Sequence, residues 1–213
     1  MKRSEKKVDQ LRMPSSRSPL SLLRDDVVSL GVDLTGSEWE EFASVCIETS
    51  YEKRETIFQD GVGPEYLLFI ADGVCAGQAT QPDGQTVVAR FFEPRDFCAK
   101  IRFTRRGYTS TNTIVATTPV EGVLIPMDRW REEHLEGERI GKYARQKMMM
   151  AHHFDIDIIQ VKTLNRTVES YEFLREHQPG VLRSVPQRVI AQFLGITPEG
   201  LSRFLKANPQ YID

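Results

Sequence analysis

The sequence is poor in the residues on which most metal and redox chemistry is built. Its 213 residues include 3 cysteines (Cys46, Cys75, Cys98), an odd count, far apart and without a CxxC. That excludes a disulfide framework and any four-cysteine zinc or iron–sulfur site supplied by this chain alone. Such sparse thiols suit a reducing cytoplasm. The 4 histidines (His134, His152, His153, His177) all lie late in the chain, so the central segment has none. No apolar run approaches the roughly 18 residues that cross a bilayer; residues 66–71 form one of the longest. The charged stretch 2–7 is followed by no apolar segment, so a secretory signal is not expected. A field of one sign is missing too. With 28 basic and 30 acidic residues the net charge is −2, which gives no global attraction for nucleic acid. No Ser/His/Asp set, phosphate-binding loop or metal motif stands out, so neither a catalytic nor a metal site is expected.

What is present is an ordinary globular composition, 40% apolar and 27% charged, at a length that suits one large domain or two small ones. Charge is uneven along it. Lys2, Arg3, Lys6, Lys7, Arg12, Arg17 and Arg24 against Glu5 and Asp9 give residues 1–24 a local charge of +5. Residues 1–18, with Pro14, Ser15, Ser16 and Ser18 ahead of Pro19, read as a disordered basic tail. Residues 19–48 read as short helices. Thr35 is a candidate N-cap, Glu38 completes a capping box, and Trp39, Phe42 and Ala43 supply an apolar face.

From about 50 to 127 the pattern has period two. Strands are expected at 55–58, 65–71, 74–80, 86–92, 111–117 and 121–125, with a basic insert around Arg105-Arg106-Gly107. Asp60-Gly61, Asp72-Gly73 and Asp83-Gly84 supply hairpin signals. Short strands so closely punctuated predict a barrel or a double-sheet jelly roll, within a domain expected over 19–137.

Beyond 128 the period becomes helical. Ile140, Ala144, Lys147, Ala151, Phe154, Ile158 and Val161 follow one another by steps of 4, 3, 4, 3, 4 and 3. This heptad spacing predicts a long helix over 138–165 that pairs with its copy in a homodimer. Ala144, Ala151, Phe154, Ile158 and Val161 would form the interface, with Lys147 flanking or crossing it. The competing reading is a helix packed on its own β-domain. On the same helix His152, His153, Asp155 and Asp157 offer metal-ligand types, and a solvated helix face explains them better. A break near Asn165 or Thr167 precedes a shorter helix over 168–177, ending at Pro179-Gly180.

The most informative segment is 184–206. A helix-turn-helix needs a small residue where its helices cross, a Gly at the turn and branched apolar residues facing inward. Counting Gln187 as one, Ala191 is five, Gly195 nine, Ile196 ten and Leu201 fifteen. Thr197 suits the N-cap of the second helix, Pro198 its first turn and Glu199 its positive end. That helix would bury Leu201, Phe204 and Leu205 and present Glu199, Gly200, Ser202, Arg203 and Lys206. Arg reads guanine and Glu accepts from cytosine, and Glu199 and Arg203 at i, i+4 reach one groove.

The order β-roll, long helix, helix-turn-helix resembles the Crp/Fnr family of bacterial transcription regulators. EYLLFIADGVCAGQATQPDGQTVVARFFEPRDF (65–97) is similar to the family's β-roll hairpins, and VPQRVIAQFLGITPEGLSRFLK (185–206) resembles its DNA-reading motif. The resemblance implies an α+β chain: a double-stranded β-helix (jelly-roll) effector domain, a dimerisation helix and an all-α DNA-binding domain over 166–213. It also implies base reading by Glu199 and Arg203, with Ser202 and Lys206 on the same face, and phosphate contacts by Gln187, Arg188 and Thr197. A third base-reading Arg of the founding member falls on Pro198, so the operator should differ. With few residues after Lys206, no full wing is expected.

The effector region departs from the family pattern. Where the family has F-G-E-[LI]-x-L, this chain reads Phe97-Cys98-Ala99-Lys100-Ile101-Arg102, and where it has R-[ST]-A the chain reads Ser110-Thr111-Asn112. Lys100 stands at or next to the ribose carboxylate and Ser110 replaces the phosphate arginine. A buried cyclic phosphate would lose its bidentate partner. Phe97, Cys98, Lys100, Ile101, Ser110 and Thr111 are therefore candidate contacts for an unidentified small effector, and cyclic AMP is not expected. Cys98 is a candidate redox thiol, an inert buried thiol being the better reading. The leading expectation is a homodimeric, effector-responsive, DNA-binding transcription regulator that meets double-stranded operator DNA and no membrane, with RNA polymerase a candidate partner. The alternative is a ligand-binding protein that acts through protein partners with a vestigial helix-turn-helix. A cupin-like enzyme is disfavoured by the absence of His from the β-region.

Overall fold

A computed structural model describes residues 17–62, 65–81, 83–98, 101–104, 107–110, 112–127, 139–164 and 166–211, with the backbone alone at 101–104 and 107–110. The expected basic tail lies, up to residue 16, outside the described residues. Its last two residues are structured: Arg17 pairs with Asp25 at 2.6 Å, and the Ser18 side chain accepts from Ser21 N to cap α1 (Pro19–Ser29). In α2 (Gly36–Ser44) the capping box forms as read, Thr35 accepting from Glu38 N while Glu38 accepts from Thr35 N.

Among the described residues the strands that follow are β1 (Ile47–Tyr51), β2 (Thr56–Phe58), β3 (Tyr66–Asp72), β4 (Cys75–Thr80), β5 (Thr86–Phe92), β6 (Phe97–Cys98), β7 (Ile101–Thr104), β8 (Gly107–Ser110), β9 (Thr113–Ala116) and β10 (Val120–Pro126). They form two antiparallel sheets, β1-β10-β3-β6 and β2-β9-β4-β5, and the separate β7-β8 hairpin. The three Asp-Gly glycines all take positive φ, 79° at Gly61, 92° at Gly73 and 84° at Gly84. Only the last closes a hairpin, β4 on β5. The chain changes sheet at the other two, because a roll is closed by strands that alternate between layers. Strands β6 to β8 fill the segment read as a basic insert; two to four residues are too few to show a period.

Three apolar clusters organise the chain. Leu68, Ile70, Cys75, Phe92, Cys98, Ile114, Ala116 and Val120 fill the roll between its sheets. On the outer face of β3 and β10, Phe69, Val123 and Ile125 pack against Leu23 and Val27 of α1, Trp39 of α2, and Ile140, Tyr143 and Ala144 of α3 (Arg139–Thr163). Residues 67–70 are thus buried on both faces, which is why they read as a continuous apolar run rather than an alternation. On the outer face of β4 and β5, Ala76, Val88 and Phe91 pack against the C-terminal helices, joined by Ile158 and flanked by Phe154 and Val161 of α3.

Part of the heptad stripe packs within the chain. Ala144 and Ile158 are buried in its own clusters, the half-buried Phe154 and Val161 pack against the C-terminal domain, and the Ala151 carbonyl accepts from Arg90 at 3.2 Å. On one helix, a seven-residue period serves a partner helix and the domains of the same chain alike. The one polar member, Lys147, meets buried Asp26 of α1 at 3.1 Å. The apolar side chains that α3 leaves to solvent are Met148, Met149, Met150, Ile156 and Ile159.

After α3 come α4 (Thr167–His177), α5 (Pro179–Ser184), α6 (Gln187–Leu194) and α7 (Pro198–Ala207), then a 3-10 turn at Pro209–Tyr211. Helix α4 ends at His177, just before Pro179-Gly180 as read, and the same Pro179 opens α5, since Pro is pre-organised for the first turn of a helix. No helix among the described residues is long and apolar enough to cross a membrane.

Candidate nucleic-acid interface and effector region

Helix α6 ends at Gly195, whose φ of 69° is left-handed and suits a residue without a side chain. Ile196 N donates to Ala191 O at 3.0 Å, closing the turn. Ala191 is buried, as the crossing of two helices requires, and Leu201 closes the angle from the other side. Thr197 caps α7 by accepting from Gly200 N at 3.0 Å, with Pro198 in the first turn. The inner side of α7 is held by rings: Phe204 lies 5.4 Å from Tyr171 and stacks on Tyr211 at 5.6 Å. That fixes the outer side. Glu199, Ser202, Arg203 and Lys206 are exposed, as are Gln187, Arg188 and Thr197. The side chains of Glu199, Ser202, Arg203, Lys206 and Arg188 form no hydrogen bond or ion pair among the described residues. One short helix thus presents a free guanidinium, a free carboxylate and a free ammonium together, the groups that read base edges and phosphates.

The expected effector residues gather around β6 to β8. Cys98 pairs with Leu68 and is fully buried. Burial, then the adjoining Cys75 thiol, raises its pKa well above the ordinary value, which suits an inert thiol. Cys46 is also pushed up by burial, to about 12. The Phe97 ring lies 5.6 Å from Phe69 and 6.0 Å from Tyr143. Ile101 and Ser110 stand directly opposite each other in the β7-β8 register. Lys100 and Thr111 lie outside the described residues.

Sequence reading missed the groups that join the domains. Arg90, in the middle of β5, donates to Asp155 at 2.8 Å and holds its guanidinium 4.8 Å from the Phe92 ring centre and 4.9 Å from that of Phe154. This engages Asp155, while His152 and His153 stay exposed. Among the described residues no group of three or more His, Cys, Asp or Glu is placed to hold a metal. Lys162 donates to Val88 O and Phe193 O, both at 2.9 Å, tying β5 to α6. Gln178 donates to Phe91 O at 3.3 Å. The signal was there in two interruptions: Arg90 inside the apolar run 87–92, and Lys147 inside the heptad stripe.

A closed roll of two antiparallel sheets, a long helix and a helix-turn-helix define the Crp/Fnr-type regulator fold. Residues 48–135 match the cyclic nucleotide-binding domain family. No curated protein matches the sequence. Among solved structures, FixK2 from Bradyrhizobium japonicum is 20% identical with a TM-score of 0.61, covering 78% of this chain and 85% of that one. The c-di-GMP responsive global regulator CLP of Xanthomonas campestris is 16% identical with a TM-score of 0.60, covering 80% and 90%. A putative transcriptional regulator of the Crp/Fnr family from Eubacterium rectale is 17% identical with a TM-score of 0.59, covering 85% and 87%. At these identities the likeness is one of fold. CLP and the Eubacterium rectale protein are described as regulators.

Proposed function

We propose that this protein is a homodimeric, effector-responsive transcription regulator of the cytoplasm that reads a two-fold DNA operator through α7. The observation that carries the reading is the unengaged Glu199, Ser202, Arg203 and Lys206 on the outer face of a helix whose inner face is locked by Leu201 and Phe204. Glu199 and Arg203 read base edges, while Gln187 and Arg188 at the entrance of α6 and Thr197 at the entrance of α7 grip phosphates. The dimer forms through the exposed side of α3, where Met149, His152, Ile156 and Ile159 recur by steps of 3, 4 and 3. Two such motifs would meet half-sites about 34 Å apart.

The effector is a small molecule other than cyclic AMP, because Lys100 and Ser110 stand where ribose and phosphate partners would be needed. RNA polymerase is a candidate partner of the DNA-bound dimer. Selection of bound duplexes from a random pool tests the reading. Recovery of a two-fold symmetric site by the wild type, and loss of one defined base preference in Arg203→Ala, is the expected result. Failure to bind any duplex at low salt would leave a regulator that acts on proteins.

A further inference from the structure

Among the ten residues of α7 Leu201 alone is buried, with Phe204 and Leu205 half-buried beside it. A single buried side chain is a pivot: it holds the helix in place and leaves it free to tilt. Lys206 lies ~7.5 Å along the axis beyond Leu201, so a tilt of about 15° would displace it by about 2 Å. That is well outside the narrow range of a hydrogen bond to a base edge or a phosphate. Base reading by this helix therefore needs a second fixed point, on the Phe204 side.

The chain just past α7 supplies one. Asn208 Nδ2 donates to Phe204 O at 2.8 Å, and the 3-10 turn Pro209–Tyr211 brings Tyr211 back against Phe204. The two rings stack with 5.6 Å between centres and 17° between planes, and the Tyr171 ring lies 5.0 Å from that of Tyr211. The remaining ties go to α4. The Tyr211 hydroxyl donates to Glu172 Oε1 at 2.7 Å, its carbonyl accepts from the Tyr171 hydroxyl at 3.3 Å, and the Arg175 guanidinium lies 5.0 Å from its ring centre. Helix α4 is itself anchored by the buried Phe173 and Leu174. Tyr211 thus joins the far half of α7 to a fixed helix, and none of its partners is a candidate for contact with DNA.

We propose that Tyr211 is a positioning residue for base reading: it sets the tilt of α7 against α4, and with it the places of Arg203 and Lys206. The inference rests on the DNA-reading role proposed above. Gln187 and Arg188 sit on α6 and do not depend on this tie, so base preference and phosphate grip come apart when Tyr211 is removed.

The test compares full-length wild type, Tyr211→Ala and Tyr211→Phe on the duplex recovered by selection and on a scrambled duplex. Tyr211→Ala should reduce the ratio of the two affinities about tenfold, with affinity for the scrambled duplex kept within about twofold. Tyr211→Phe keeps the ring stack and loses the Glu172 hydrogen bond, so its ratio should return to within about threefold of the wild type. Without DNA, amide exchange at 202–206 should be faster in Tyr211→Ala and near wild type in Tyr211→Phe, while 189–194 keep their protection. If circular dichroism shows that Tyr211→Ala does not fold, Glu172→Ala replaces it; Glu172 is exposed, and its loss should lower the ratio about threefold. A ratio or an exchange pattern unchanged in the folded variant overturns the proposal, and so does an equal fall in both affinities, which is the mark of lost packing alone. A wild type for which selection recovers no duplex refutes the DNA-reading role itself, and Tyr211's part falls with it, so the two failures are told apart.

Discussion

The Lys147 ammonium lies 3.1 Å from the Asp26 carboxylate, with the two side chains only 10% and 5% exposed. Tyr143 donates to the same carboxylate at 2.7 Å, and Asp26 and burial together raise its phenol pKa far above the ordinary value. This group pins α1 to the first half of α3. Lys147→Met should cost about 3–5 kcal/mol, because it leaves a buried carboxylate without its main cation. The double variant Asp26→Leu/Lys147→Met should recover most of that. Urea unfolding of the three proteins checks it; a single variant as stable as the wild type would remove the pair from the list of structural ties.

Adjacent residues on α3 should behave oppositely. Ile159 is 63% exposed and Ile158 only 4%. Ile159→Glu should convert a dimer into a folded monomer, whereas Ile158→Glu buries a charge in the domain seam and should unfold the C-terminal part. Sedimentation gives the assembly and circular dichroism the fold. A wild type that sediments as a monomer at about micromolar concentration contradicts dimerisation.

How much of this was legible in the sequence follows from the range of each signal. The Thr35–Glu38 capping box, the Gly195 turn and the Thr197-Pro198 helix start are local, fixed within four residues, and each stands where it was read. The longer strands were legible because alternation and Asp-Gly turns are also local. Which sheet each strand joins was not, since Gly61 and Gly73 have the same chemistry as Gly84 but lead the chain across the roll. The destination of the α3 stripe depends on residues such as Phe69 and Phe173, far from it in sequence, and periodicity cannot reach them. The junction around Arg90 and Gln178 joins positions 88 residues apart, and its only trace was a charge out of pattern.

Cyclic AMP should bind no tighter than about 0.1 mM, roughly 5.5 kcal/mol on the affinity scale. The reason lies in the sequence: against the family pattern, Ser110 replaces the phosphate arginine and Lys100 falls at or next to the position of the ribose carboxylate. Isothermal titration decides it, and micromolar binding of cyclic AMP or cyclic GMP would overturn the effector assignment.

Arg203 and Arg188 should separate in their salt behaviour. Arg203→Ala should lose about 1–3 kcal/mol per half-site and relax preference at one base pair. Arg188→Ala should weaken all sequences alike and reduce the salt slope by about one unit per half-site. Salt titrations on the selected site and on a scrambled duplex distinguish them. If Arg203→Ala keeps the full preference, that residue does not read a base.

Acidity should favour the fold through Asp96. Burial raises its carboxyl, outweighing Arg90 and Lys147. Folding thus favours the protonated form relative to the unfolded chain. Its contribution is complete below the ordinary carboxylate pKa of roughly 3.9 and is lost as pH rises through the elevated native value. Asp96→Asn is neutral throughout, so its stability relative to the wild type should improve between about pH 4 and pH 7. Urea melts across that interval measure it; parallel profiles for the two proteins would rule the effect out.

Strand β5 sits between two interiors, Phe92 facing the roll and Val88 and Phe91 facing the C-terminal helices, where Phe91 meets Phe193 at 5.4 Å. Swinging those helices away would bare Val88, Phe91 and Phe193, at about 1.5–3 kcal/mol for each side chain. The released arrangement is therefore rare in the absence of a signal. Carrying a two-state balance from 1:99 to 99:1 takes a ligand that prefers one arrangement by about 5.5 kcal/mol. In the proposed effector-responsive regulator the seam would act as a noise filter: weakly discriminating metabolites would leave the output flat, and only a strongly selective one would trip it.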